Sequence, residues 1–148
     1  MKSVESALAV FLFLFGCASS DQSSNGPAVT VQLAQVSQPN DVFYFRGPVN
    51  IQYQVAINNP TAEELTLTRL DLQTIGPGAY SLRANGTPMN LKAAPNSTTS
   101  YLISVWGYSS GGYLRSSEPV TIRGTAYLKG AKSGSFLKLF NQNISQGY

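Results

Sequence analysis

Between residues 49 and 58 the chain alternates apolar and polar side chains. The apolar members of this run are Val49, Ile51, Tyr53, Val55 and Ile57. A period of two places alternate side chains on one face of a β-strand. The run therefore predicts a strand that covers a core with one face, as is common in antiparallel sheets.

Shorter alternating runs recur along the chain, with Gly, Pro and Asn between them. Residues 65–72 change phase near Thr68-Arg69, which predicts a β-bulge. No stretch beyond residue 28 keeps a 3.6-residue period for three turns. We expect an all-β domain over residues 29–148, an antiparallel two-sheet sandwich of about seven strands resembling immunoglobulin and fibronectin III domains. A small closed barrel is the alternative.

The first 16 residues have the pattern of a signal peptide. Lys2 precedes an unbroken apolar run over residues 7–15. A nine-residue helix rises only about 14 Å against a hydrocarbon core of roughly 30 Å, so the run is too short to span a membrane. We expect it to direct export and to be removed.

The run ends in Leu14-Phe15-Gly16-Cys17, which resembles a bacterial lipobox. Phe15 departs from the small residue usual at its position. The resemblance implies cleavage between Gly16 and Cys17 and attachment of fatty acyl chains to the Cys17 thiol. The alternative is an ordinary secretory signal followed by a free thiol, which would be a liability in an oxidising compartment.

Residues 17–28 combine this cysteine with a tether rich in serine and free of large apolar side chains. The eleven residues after the cysteine reach at most about 36 to 40 Å, which keeps the folded domain close to the membrane. Ala18 stands where an aspartate, by resemblance to enteric lipoproteins, would favour retention in the inner membrane. We therefore expect a lipid-anchored protein of the bacterial cell envelope, with the outer membrane favoured.

The charged residues add little to this interpretation. They make up 11% of the chain, against roughly a quarter in average proteins, and the net charge is +3. The basic residues are scattered singly, so we expect no nucleic-acid partner.

The chain has no histidine and one cysteine, which excludes Ser-His-Asp and Cys-His catalysis and histidine-liganded metals. Its few carboxylates are dispersed. We expect no enzyme activity, no metal and no cofactor.

The segment from residue 57 to residue 74 carries a family resemblance. A long alternating strand leads to Asn59-Pro60, a short polar turn and the phase-shifted run LTLTRLDLQT. Together with the ending VTIRGTAYLKG and SGSFLKLFNQNIS, this resembles group 2 late-embryogenesis-abundant proteins and the related water-stress and hypersensitive-response (WHy) domain. Thr61 departs from the family's usual Asn-Pro-Asn turn. The resemblance implies a seven-stranded sandwich and a non-catalytic role in desiccation or envelope stress. It also implies that Asn59 is a structural turn residue.

Trp106, Tyr108 and Tyr113 are the candidate ligand-binding residues, beside a glycine-rich segment. If residues 101, 103 and 105 face the core, Trp106 and Tyr108 point outward, where sugar rings could stack on them. The other interpretation, which we favour, is a phase shift that lets Trp106 plug one end of the sandwich, because tryptophan is usually well buried.

The two possible positions of Trp106, in the core or on the surface, favour two different functions. A stress-related or scaffolding lipoprotein predicts aromatic side chains that are mostly buried. A carbohydrate- or peptide-binding module predicts that the three aromatic side chains are exposed together, with a glycan or another envelope protein as partner.

The anchor can be tested directly. We expect mass spectrometry of the mature protein to find Cys17 at the N-terminus with acyl chains attached, and Cys17→Ala to move the protein into the soluble fraction. Ser20→Ala, in the same tether, should leave it in the membrane. An unmodified Cys17 thiol in the mature protein would contradict the lipid anchor.

Overall fold

The computed structural model describes residues 26–36, 45–83, 86–112 and 118–145. These residues form eight strands and no helix: β1 (Thr30–Gln35), β2 (Gly47–Asn59), β3 (Leu65–Ile75), β4 (Tyr80–Ser81), β5 (Thr87–Ala93), β6 (Ser97–Ser109), β7 (Val120–Gly130) and β8 (Gly134–Ile144). No helix in these ranges has the length and apolarity that a membrane span requires.

The strands form two four-stranded antiparallel sheets. Sheet A has the order β1-β2-β6-β4, and sheet B has the order β5-β3-β7-β8. The expected two-sheet antiparallel sandwich is confirmed. β4 has only two residues and is too short to show an alternating run, whereas in β5 the more buried Met89, Leu91 and Ala93 alternate with the exposed Asn90 and Lys92.

The alternating run forms most of β2, which lies between β1 and β6 in sheet A. Four of its inward side chains are fully buried: Ile51, Tyr53, Val55 and Ile57. They pack against the buried residues of sheet B in one continuous core. The polar positions of the run point to the other side of sheet A, as the period of two predicts.

The phase change in β3 is a β-bulge, as predicted. The register shifts between Leu67 and Arg69 against both β5 and β7. Leu67 and Leu70 are three positions apart, an odd number that would put them on opposite faces of a regular strand, yet both are buried. The extra residue therefore keeps both halves of β3 facing the core.

Side chains connect the two sheets at their edges. Gln142 of β8 accepts a hydrogen bond from the Leu33 backbone N–H at 2.8 Å and donates to the Leu33 carbonyl. This amide satisfies backbone groups of β1, an edge strand. Elsewhere, the Leu82 N–H donates to Thr74 Oγ1 at 3.1 Å, and the Thr74 N–H donates to the Leu82 carbonyl at 3.2 Å.

The orientation of β2 predicts how two substitutions differ. Ile57→Ala removes fully buried methyl and methylene groups and should lower the free energy of unfolding by about 2 to 4 kcal/mol. Gln54→Ala, on the exposed face of the same strand, should change it by less than about 0.5 kcal/mol. Urea denaturation of the full chain measures both values. Similar losses for the two variants would contradict this orientation of β2.

Candidate functional site: an aromatic cleft on sheet A

Trp106 lies on the outer face of sheet A. β6 keeps its period of two from Ser97 to Ser109, in unbroken register with β2. Ile103 and Val105 pack against the core, so Trp106 and Tyr108 point away from it. Their exposed fractions are 66% and 48%. The expectation that Trp106 plugs one end of the sandwich is therefore wrong, because the strand does not shift phase.

A cleft of about 550 Å³ lies beside these two aromatic residues. It is open to solvent and is lined by Arg46, Ser81, Arg83, Trp106, Gly107 and Tyr108. The side chains come from three places in the chain: the residue before β2, the short strand β4 with the segment after it, and the end of β6. The cleft thus depends on how closely β4 approaches β6.

Gly107 allows that approach. A Cβ atom at this position would lie 2.9 Å from the Ser81 carbonyl oxygen and 2.9 Å from methyl carbons of Ile51 and Leu82. Real Cβ atoms do not come so close to other heavy atoms. A glycine between Trp106 and Tyr108 is therefore what lets the β4 segment pack against the end of β6.

Two buried tyrosines fix β4 from the core side. Tyr80 donates a hydrogen bond to Gln35 Oε1 at 2.7 Å, and its hydroxyl oxygen lies 2.6 Å from that of Tyr53. Because the Tyr80 proton goes to Gln35, Tyr53 is the donor in the second bond. Burial raises the pKa of Tyr53 well above its ordinary value, and the neighbouring Tyr80 adds to this. The Tyr53 hydroxyl therefore stays protonated, and the two hydrogen bonds of Tyr80 hold β4 against β1 and β2.

Arg46 and Arg83 give the cleft a positive charge. Gly111, with φ of 70°, lies against the Arg46 backbone, where an added Cβ would be 2.8 Å from the Arg46 nitrogen. Within the described ranges, the ion pairs are Arg69–Asp71 and Lys92–Glu64, and no carboxylate lines the cleft. Its two guanidinium groups are thus available to an anion.

Asn59 and Pro60 lie at the opposite end of sheet A from the cleft. The buried Asn59 amide donates to the carbonyls of Glu63, Ala93 and Ala94 at 2.8, 3.2 and 3.1 Å. Its Oδ1 accepts from the backbone N–H and the hydroxyl of Thr61, at 3.1 and 2.7 Å. Every polar atom of the Asn59 side chain is used within the fold. Asn59 therefore has a structural role, and its side chain has no polar atom left to bind a ligand.

Glu63 extends this network to the β7–β8 hairpin. Its carboxylate accepts from the backbone N–H groups of Lys132 and Ser133 at 2.7 and 3.1 Å. The Lys132 N–H is the main reason that the pKa of Glu63 is lowered. Both carboxylate oxygens of Glu63 are therefore used in hydrogen bonds within the fold.

The cleft offers two aromatic side chains, the hydroxyl groups of Ser81 and Tyr108, and two guanidinium groups. These groups can stack against a ring and hold an anion. Within the described part of the chain, no three Cys, Asp or Glu side chains are grouped in a way that could hold a metal ion.

Several expected residues lie outside the described ranges. These are Tyr113, Gly16, Cys17 and the rest of residues 1–25. Conversely, Arg46 and Arg83 were not predicted as site residues. They are 37 positions apart and follow no local pattern; only the pairing of β2 and β4 with β6 brings their neighbours Pro48 and Ser81 to Tyr108.

Comparisons with known proteins show the fold. The chain is similar to a Northeast Structural Genomics Consortium target, SoR45, with 11% identity, a TM-score of 0.52, and coverage of 79% of this chain and 84% of that one. It is also similar to the putative ApaA protein from Bordetella pertussis, with 13% identity, a TM-score of 0.50, and coverage of 85% and 97%. No family model and no curated protein matches the chain.

The Asn59 network predicts a large effect on stability. Asn59→Ala leaves three carbonyls and one backbone N–H without this partner, and should lower the free energy of unfolding by about 3 to 5 kcal/mol. Asn58→Ala, the exposed neighbour of the same residue type, should cost less than about 1 kcal/mol. Urea denaturation of both variants is the measurement. Equal decreases in the free energy of unfolding would contradict a stabilising role of the buried Asn59 amide.

Proposed function

We propose that this protein is a non-catalytic, lipid-anchored component of the bacterial cell envelope that binds a carbohydrate or peptide through the cleft on sheet A. The observation that carries the proposal is the exposure of Trp106 and Tyr108 on one strand face. A scaffold without a ligand predicts that these rings are buried. Large aromatic side chains held in solvent on a rigid strand are typical of binding sites.

The path of the chain into the domain supports this function. Thr30, the first residue of β1, pairs with Asn58, and Gly26 lies against the Phe136 ring near the β7–β8 hairpin. The chain therefore enters at the end of the sandwich that contains Asn59. Trp106 pairs with Asn50, eight residues along β2 from Asn58, which corresponds to about 27 Å.

An anchor at Cys17 would then attach to the end of the sandwich that contains Asn59, opposite the cleft. The lipobox-like Leu14-Phe15-Gly16-Cys17 and the serine-rich tether support this attachment, with the outer membrane as the favoured location. The resemblance to WHy domains supports a role without catalysis.

Binding through the cleft is testable on a glycan and peptide array. We expect the full chain in mild detergent to bind a subset of the array, and Trp106→Ala to weaken that binding about tenfold or more, because the stacking surface is lost. Calorimetry gives the affinities, since the variant lacks the chain's single tryptophan.

Leu139→Ala is the matched control. Leu139 is an exposed apolar residue on the outer face of sheet B, so its removal should leave the affinity unchanged. Circular dichroism and the urea midpoint establish that both variants are folded. Equal weakening by the two variants would contradict a site at Trp106, and hydrolysis of an array glycan would contradict the non-catalytic role.

A further inference from the structure

We propose that the ligand of the cleft is an acidic glycan, whose sugar rings lie on Trp106 and Tyr108 and whose carboxylates pair with Arg46 and Arg83. This inference rests on the proposed binding function and specifies the substrate class. It is carried by three features: the composition of the sheet A outer face, the position of the two arginines, and the little backbone that the described strand edge beside the cleft leaves for a partner strand.

The outer face of sheet A carries no charged side chain at the described strand positions of β1, β2, β4 and β6. Next to the aromatic residues, this face presents the amides and hydroxyl of Asn50, Gln52, Gln54 and Ser104, together with the exposed Leu102. An amide offers both donors and acceptors, which matches a sugar hydroxyl that also donates and accepts. Uncharged polar groups beside exposed rings suit a polyhydroxylated ligand.

The outer face of sheet B differs sharply in charge. Charged residues at its outward positions include Arg69, Asp71, Arg123 and Lys129, and Arg69 is paired with Asp71 at 2.7 Å. Mixed charges of this kind are ordinary for a solvated protein surface. The uncharged face of sheet A is therefore a local property of that sheet and does not simply follow from the low overall charge of the chain.

The cationic groups of the cleft stand at one end of the uncharged face. Arg46 and Arg83 line the cleft together with the two aromatic side chains, and the described carboxylates lie elsewhere. A guanidinium binds a carboxylate through two parallel N–H···O bonds. A ligand with a ring and a carboxylate in each repeat would use both kinds of group at once.

The strand edge beside the cleft favours a glycan over a peptide. Extended peptides usually bind by adding a strand to a free sheet edge. Here β4 has only two residues, and Leu82, which follows it, already uses its N–H and carbonyl on Thr74. Little backbone is left for a peptide strand, whereas side-chain stacking and carboxylate pairing need none.

The test compares two tetrasaccharides with the same linkage, one of mannuronic acid and one of mannose. The fluorescence of Trp106, the single tryptophan, follows their binding to the full chain in mild detergent. We expect the acidic tetrasaccharide to bind about tenfold more tightly at low salt. This advantage should shrink in ~0.5 M NaCl, because exposed charges are screened.

Variants separate the arginines from the aromatic platform. Arg46→Gln and Arg83→Gln should each weaken binding of the acidic tetrasaccharide about three- to tenfold and leave the neutral one unchanged. Arg123→Gln, an exposed arginine on sheet B, is the matched control and should change neither. Equal affinity for the two tetrasaccharides, or no binding of either, would overturn the inference, as would tighter binding of a hexaglutamate peptide.

The two proposals can fail separately. If array binding is lost in Trp106→Ala but the acidic sugar has no advantage, the cleft binds a ligand and the acidic-glycan inference is wrong. If Trp106→Ala leaves array binding intact, the site itself is wrong and both proposals fail.

Discussion

The buried amide of Asn59 is the interaction on which the arrangement of this sandwich most depends. It joins the end of β2 to the turn before β3 and to the end of β5, so one side chain links sheet A to sheet B. Glu63, in the same turn, extends the connection to the β7–β8 hairpin. A domain without a disulfide in its described part gains here a polar tie that apolar packing alone does not provide.

The opposite end of sheet A, which carries the cleft, is held together by different contacts. There a two-residue strand is held by a glycine that permits close approach and by two tyrosines whose hydroxyls meet in the core. Among the described residues, the outer face of β6 is uncovered at Trp106 and Tyr108. The polar network therefore lies at the end of the sandwich where β1 begins, and the exposed cleft lies at the other end.

The fold could be predicted from the sequence because its evidence is local. The period of two in β2 predicts which face of the strand is buried, and the phase change at Thr68-Arg69 predicts the β-bulge in β3. The site could not be predicted in the same way. Whether Trp106 faces inward depends on the phase of β6 at its last residues. Arg46 and Arg83 line the same cleft only because β2 and β4 both pair with β6. Such contacts leave no pattern between neighbours in the chain.

Hydroxyl-radical footprinting of the full chain, with and without the mannuronic acid tetrasaccharide, tests the central claim most directly. Trp106 and Tyr108 are exposed on sheet A, while Leu137 and Leu139 are exposed on sheet B and serve as internal references. The account predicts that the tetrasaccharide slows oxidation of the two aromatic side chains and leaves the two leucines unchanged. Protection of the leucines with unchanged oxidation of Trp106 would contradict it.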